Sequence, residues 1–171
     1  MGWGISSHHD KADFVGAILA KMGDRVVDHA VVGNHLWTVF RGDSSGRLMI
    51  GLDLLQKDGG VWCNKELDES MYPYYFDCPL RLLWVADEPV SETAAEWRKA
   101  VQRWHEERAQ ARKRAAALAP GMVVEVGSYR LKLIEHLGRR GWLAASLGNP
   151  DSIVRLTAAQ AKGACVLGSA A

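Results

Sequence analysis

The sequence predicts an α+β protein, with a helix on an antiparallel meander followed by a long connecting helix and a small all-β module, and three observations carry that prediction. A helical apolar period over residues 11–22 gives way to short strands separated by glycine turns. Residues 91–119 then run without a single Pro or Gly behind a Ser cap. After Gly121 only short alternating segments remain, up to the end of the chain.

Asp10 has the chemistry of a helix N-cap, with Asp13 as a weak capping-box partner. Phe14, Val15, Ile18, Leu19 and Met22 recur at helical spacing before Gly23 stops the run, which predicts a helix over 11–22. Arg25–Val32 and His35–Arg41 flank Gly33-Asn34, a dipeptide that tolerates positive φ in a hairpin. The turn cluster 42–46 leads to a strand over Arg47–Leu55, and Lys57-Asp58-Gly59-Gly60 turns the chain again into Val61-Trp62-Cys63. Residues 64–79 break both periodicities, and Leu80–Val85 reads as one or two helical turns.

Ser91 caps the next helix, and Trp97, Val101, Trp104, Ala111, Ala115 and Leu118 form its apolar stripe, interrupted at Arg108. Only alanines occupy the stripe between Trp104 and Leu118, so this half is expected to project or to act as a connector. Beyond it, Met122–Val126, Tyr129–His136, Gly141–Leu147, Ser152–Leu156 and Ala164–Leu167 read as strands, with a helical turn at Thr157–Gln160 before the last. Five short strands with a turn before the fifth is the order of an SH3-like barrel, a fold that hosts many functions. The expected boundaries are therefore an α+β domain over 1–90, a basic helix over 91–119 and an SH3-like module over 120–171.

The net charge of +1 conceals an asymmetry. Residues 1–90 carry 8 Lys/Arg against 13 Asp/Glu, whereas 91–171 carry 13 against 7. An acidic front and a basic rear can steer partners of either sign. Cys63, Cys78 and Cys165 are odd in number and lack CxxC spacing, the usage of a reducing compartment, which predicts a cytoplasmic protein with buried, inert thiols at Cys63 and Cys78. No signal-peptide pattern or membrane-length apolar run is visible. Met1-Gly2-Trp3-Gly4-Ile5-Ser6 fits the loose myristoylation pattern, which also requires a eukaryotic transferase.

The break contains Lys65-x-x-Asp68-Glu69-Ser70-x-x-Pro73, followed by Asp77-Cys78-Pro79 and Leu82-Leu83. Together with Met1-Gly2-Trp3 and Glu96-Trp97-Arg98, this stretch resembles a family of small uncharacterised proteins from phages, plasmids and integrated elements, over roughly the first hundred residues. The family usually carries Tyr and Gly where this chain has Asn64 and Tyr72. The resemblance implies a mobile-element origin and names no mechanism.

Four groups of residues invite a functional reading. Lys65, Asp68 and Glu69 have the types for acid–base or metal chemistry, but clustered polar residues in an ordered loop more often satisfy backbone groups and ion pairs. Tyr72, Tyr74, Tyr75 and Phe76 are either a binding anchor or filler beneath the long helix, with alternate side chains expected to go each way. His8, His9 and Asp10, with His29 and His35, have the types of a metal site but abut a helix cap, so no metal and no cofactor is expected. Arg108, Arg112, Lys113 and Arg114 crowd the last turns of the long helix, where they either form a solvated face favoured by the dipole or neutralise phosphates.

These readings lead to a non-enzymatic interaction protein of mobile-element origin that binds a protein, with inhibition of a bacterial defence complex (anti-CRISPR or anti-restriction) as the expected role. A nucleic-acid-binding accessory protein using the basic helix and barrel is the first alternative. An enzyme centred on Lys65, Asp68 and Glu69 is the second.

Overall fold

The Asp10 carboxylate accepts hydrogen bonds from the backbone N–H groups of Ala12 and Asp13 at 2.7 and 3.2 Å, which starts α1 (Lys11–Met22). Gly23, at φ +59°, ends it. The computed structural model of the 171-residue chain describes residues 4–5, 7–67 and 74–169. The chain divides into two units, Met1–His105 and Glu106–Ala171.

In the first unit, β1 (Gly4–Ile5), β2 (Val26–Val32), β3 (His35–Arg41), β4 (Leu48–Asp58) and β5 (Val61–Leu67) form an antiparallel sheet in the order β1-β5-β4-β3-β2. The period-2 alternation of these strands sorts side chains onto two covered faces. Leu36 and Leu55 pack with Phe14 and Val15 of α1 on one side. Trp37, Val39, Ile50 and Leu52 pack on the other with Leu82 and Leu83 of α2 (Leu80–Val85) and with Trp97 and Val101 of α3 (Glu92–Ala116). The meander thus has helices on both faces, a layer more than the sequence predicts. At its β2 edge, Arg81 of α2 pairs with Asp28 and donates to the His29 carbonyl at 2.6 Å.

The fifth strand runs on to Leu67, well past the predicted stop at Cys63. Asn64 and Glu66 obscure it in sequence because they are polar residues on a covered face. They alternate with Cys63 and Leu67, which are buried. In β4, Gly51 lies opposite Thr38, and a Cβ there would stand 2.7 Å from Thr38 Oγ1 and 3.0 Å from the Phe40 ring. Thr38 is itself buried and has no room to yield. Gly51→Ala is expected to lower stability by about 1–3 kcal/mol, read from the midpoint of a urea titration.

In the second unit, β6 (Met122–Val126), β7 (Tyr129–His136), β8 (Trp142–Ser146), β9 (Ile153–Leu156) and β10 (Cys165–Ser169) form an antiparallel sheet in the order β10-β6-β7-β8-β9. Among the described residues, the ladder partners of these strands lie within the second sheet. Among the described residues β9 and β10 do not pair with each other, so the sheet is open rather than a closed barrel. Its core holds Val124, Leu131, Leu133, Trp142 and Leu156, with Ala161 from α4 (Ala158–Gly163). The predicted turn before the last strand is this six-residue helix, started by a reciprocal capping box between Thr157 and Gln160. Among the described residues no helix is long and apolar enough to cross a membrane.

Candidate functional site

The segment 74–79, read as irregular from sequence, is irregular and held from several sides. Trp97 Nε1 donates to the Tyr75 carbonyl at 2.8 Å, and His105 Nε2 donates to the Cys78 carbonyl at 2.9 Å. His35 Nδ1 donates to the Asp77 carboxylate at 2.7 Å, and the His35 ring meets the Tyr75 ring edge-on at 5.2 Å. Tyr75 and Phe76 pack against the core, while Tyr74 is left 84% exposed. Tyr72 lies outside the described residues, as do Asp68, Glu69, Ser70 and Pro73. Lys65 stands on β5 opposite Leu54, on the face covered by α2 and α3.

Beyond the segment, Leu82 and Leu83 of α2 are buried and Trp84 is 73% exposed. Trp84 forms one wall of a cleft of about 420 Å³, with Pro89, Ala95, Arg98 and Lys99 around it. The loop that carries Pro89 is pinned: Arg98 donates to the Asp87 carbonyl at 2.6 Å, and the Asp87 carboxylate accepts from the Leu48 N–H at 2.8 Å.

Arg108, Arg112, Lys113 and Arg114 are exposed along the last turns of α3, in the second unit. That unit carries ten Lys/Arg against five Asp/Glu, a net of +5, and the first carries eleven against fifteen, a net of −4. His8, His9 and Asp10 do not converge. His8 lines a cavity, His9 Nδ1 lies 3.1 Å from the Gly60 carbonyl oxygen, and Asp10 caps α1. Among the described residues no three His, Cys, Asp or Glu side chains are grouped to hold a metal. Cys63 and Cys78 are buried, and Cys165 is exposed.

Sequence reasoning missed the cavity between α1 and the sheet, of about 390 Å³. Asp53 of β4 lies in its lining and is only 5% exposed, with Glu66 of β5 directly opposite across the ladder. Asn64 Nδ2 donates to Asp53 Oδ1 at 2.5 Å, and among the described residues no donor reaches Oδ2. Phe14, Ile18 and Phe40 supply apolar walls, and exposed Lys21 and Arg25 stand at the mouth. The signal in the sequence is a lone carboxylate inside an apolar strand, Ile50-Gly51-Leu52-Asp53-Leu54-Leu55.

Burial pushes the Asp53 carboxyl above its ordinary value of 3.8, and the Glu66 charge adds to this against the Asn64 hydrogen bond and the Lys21 charge. The folded state then binds this proton more tightly than the unfolded chain. Stability therefore falls as pH rises from 3.8 through the raised folded value. Asp53→Asn keeps an acceptor for Asn64 and removes the titration. Its stability relative to the parent is expected to grow through that pH range and then level, in paired urea titrations.

No protein-family model, no curated protein and no solved structure matches this chain.

Proposed function

We propose that the protein acts by stoichiometric binding to a protein partner, through aromatic side chains held out from the first unit, and not by turnover. The observation that carries this reading is the exposure of Tyr74 at 84% and Trp84 at 73% around a stretch whose Cys78, Leu82 and Leu83 are buried. Large rings exposed on a pinned backbone are costly to leave in water and inexpensive to order on binding. Trp, Tyr and Arg dominate interface hot spots, and Trp84 shares its cleft with Arg98.

The net charge of −4 on the first unit favours a basic partner surface, including one that otherwise meets nucleic acid. With the resemblance of residues 65–83 to proteins of phages and plasmids, this supports a mobile-element inhibitor of a bacterial defence complex, acting in the cytoplasm. The test is capture from bacterial lysate with the full chain, before and after nuclease treatment. Capture is expected to survive nuclease and to weaken by about 30-fold in Trp84→Ala or Tyr74→Ala, at a melting temperature close to the parent's. Capture that disappears with nuclease, or that both variants retain in full, excludes this reading.

A second reading has its own support in the +5 charge of the second unit and in Arg112, Lys113 and Arg114 exposed on its helix. The strand order and the helix before β10 support an SH3-like succession of elements in its open sheet. If this unit binds nucleic acid, Arg112→Ala, Lys113→Ala and Arg114→Ala together are expected to flatten the salt dependence, by a slope of about 0.9 for each duplex phosphate that is no longer neutralised. No binding of duplex or single strands by the parent protein at low salt eliminates it. The acid–base reading of Lys65, Asp68 and Glu69 gains no such support, since only Lys65 lies among the described residues.

A further inference from the structure

We propose that the cavity between α1 and the first sheet is a binding site for a small organic cation, a protonated primary amine on an apolar body. Asp53 is a nine-tenths buried carboxylate in its lining, and one of its oxygens has no donor among the described residues. The partner that this oxygen lacks is an N–H donor, and a cationic one matches its charge. Glu66, directly opposite on the neighbouring strand, adds a second carboxylate and disfavours any anion there. Phe14 and Phe40 add aromatic surface, which accepts an apolar body and attracts a cation to the ring face.

The cations at the mouth do not reverse this preference. Arg25 is engaged by the Asp43 carboxylate at 2.8 Å, and Lys21, exposed at the mouth, offsets only one of the two carboxylates. At about 390 Å³ the cavity is within the size range of small-molecule sites, with the expected pairing of apolar walls and a few polar groups. Stability alone gives no reason for a carboxylate at this position. Burial and a like charge both oppose its ionisation, and strained carboxylates of this kind occur at ligand sites.

The probe is benzylamine, with benzyl alcohol as its neutral isostere and benzoate as its anionic one, each titrated into the full chain by calorimetry and by amide chemical-shift mapping. Benzylamine is expected to saturate, with shifts at Phe14, Phe40 and Asn64, and to bind at least about 10-fold more tightly than either isostere, the scale of one charge-assisted hydrogen bond. Asp53→Asn is expected to remove that preference while the protein stays folded. Ala17→Phe, which adds a ring at the cavity wall and leaves both carboxylates in the sequence, is expected to block all three probes. Equal binding of benzoate or benzyl alcohol, an undiminished preference in Asp53→Asn, or no saturation by millimolar benzylamine each overturns the proposal. The outcome is independent of partner capture, which reads Tyr74 and Trp84.

Discussion

Trp97→Ala is expected to destabilise the first unit by about 3–5 kcal/mol, among the largest effects of any single truncation in this chain. Trp97 is 3% exposed and stacks on Trp37 with ring centroids 5.8 Å apart and planes inclined by 24°. Both rings lie in the core between the sheet and α2 and α3, with Leu82 and Val101 around them. Truncation leaves a ring-sized void that neighbours on three different elements cannot close together. Trp97 Nε1 also donates to the Tyr75 carbonyl at 2.8 Å, so the same side chain fixes the segment that presents Tyr74.

A second variant separates the two roles. Trp97→Phe keeps most of the ring volume and removes the donor, and is expected to cost about 1–3 kcal/mol. If presentation of Tyr74 matters to binding, Trp97→Phe should also weaken partner capture, although Trp97 is not at the surface. Urea titrations of parent and both variants give the measurement. A loss below about 1 kcal/mol for Trp97→Ala would contradict the packing described.

The elements legible in the sequence are those whose signals are local. The 11–22 helix, the Gly33-Asn34 hairpin and the strands after Gly121 each carry a cap, a turn dipeptide or an alternation within a few residues. What is not legible is set by neighbours distant in sequence. Asn64 and Glu66 break the apolar pattern of β5 because they line the cavity under α1, which forms with residues about 40–60 positions away. Asp53 is hidden for the same reason, since nothing near it in sequence announces Glu66 or Asn64 as neighbours. The sequence leaves Tyr74 and Tyr75 open between surface and core, and His35, Asp77 and Trp97 decide between them by anchoring Tyr75 and leaving Tyr74 out. Trp84 reads only as part of a short apolar segment, because a six-residue helix shows no periodicity strong enough to separate its outward position from Leu82 and Leu83.

In the second unit, Gly141→Ala is expected to cost about 3 kcal/mol or more, on two independent grounds. Gly141 has φ +99°, a conformation that side chains on an L-residue rarely adopt. An added Cβ would also stand 2.0 Å from the Leu156 carbonyl oxygen, 2.8 Å from the Thr157 carbonyl carbon and 2.9 Å from the Ala158 nitrogen. All three are backbone atoms, so no side-chain rotation relieves the overlap. The chain there leads from β9 into the capped start of α4, and Trp142, the next residue, pairs with Leu156. Relief therefore requires β8 and β9 to separate, which opens the core around Trp142 and Leu133. Gly138→Ala is the control. Gly138 has φ +60° with no atom near a Cβ, so it carries the conformational cost alone, about 1–2 kcal/mol. Amide spectra of residues 122–169 should lose their dispersion in Gly141→Ala at a temperature where Gly138→Ala remains folded. Equal urea midpoints for the two variants would remove the close approach of Gly141 to Leu156 as a determinant of this sheet.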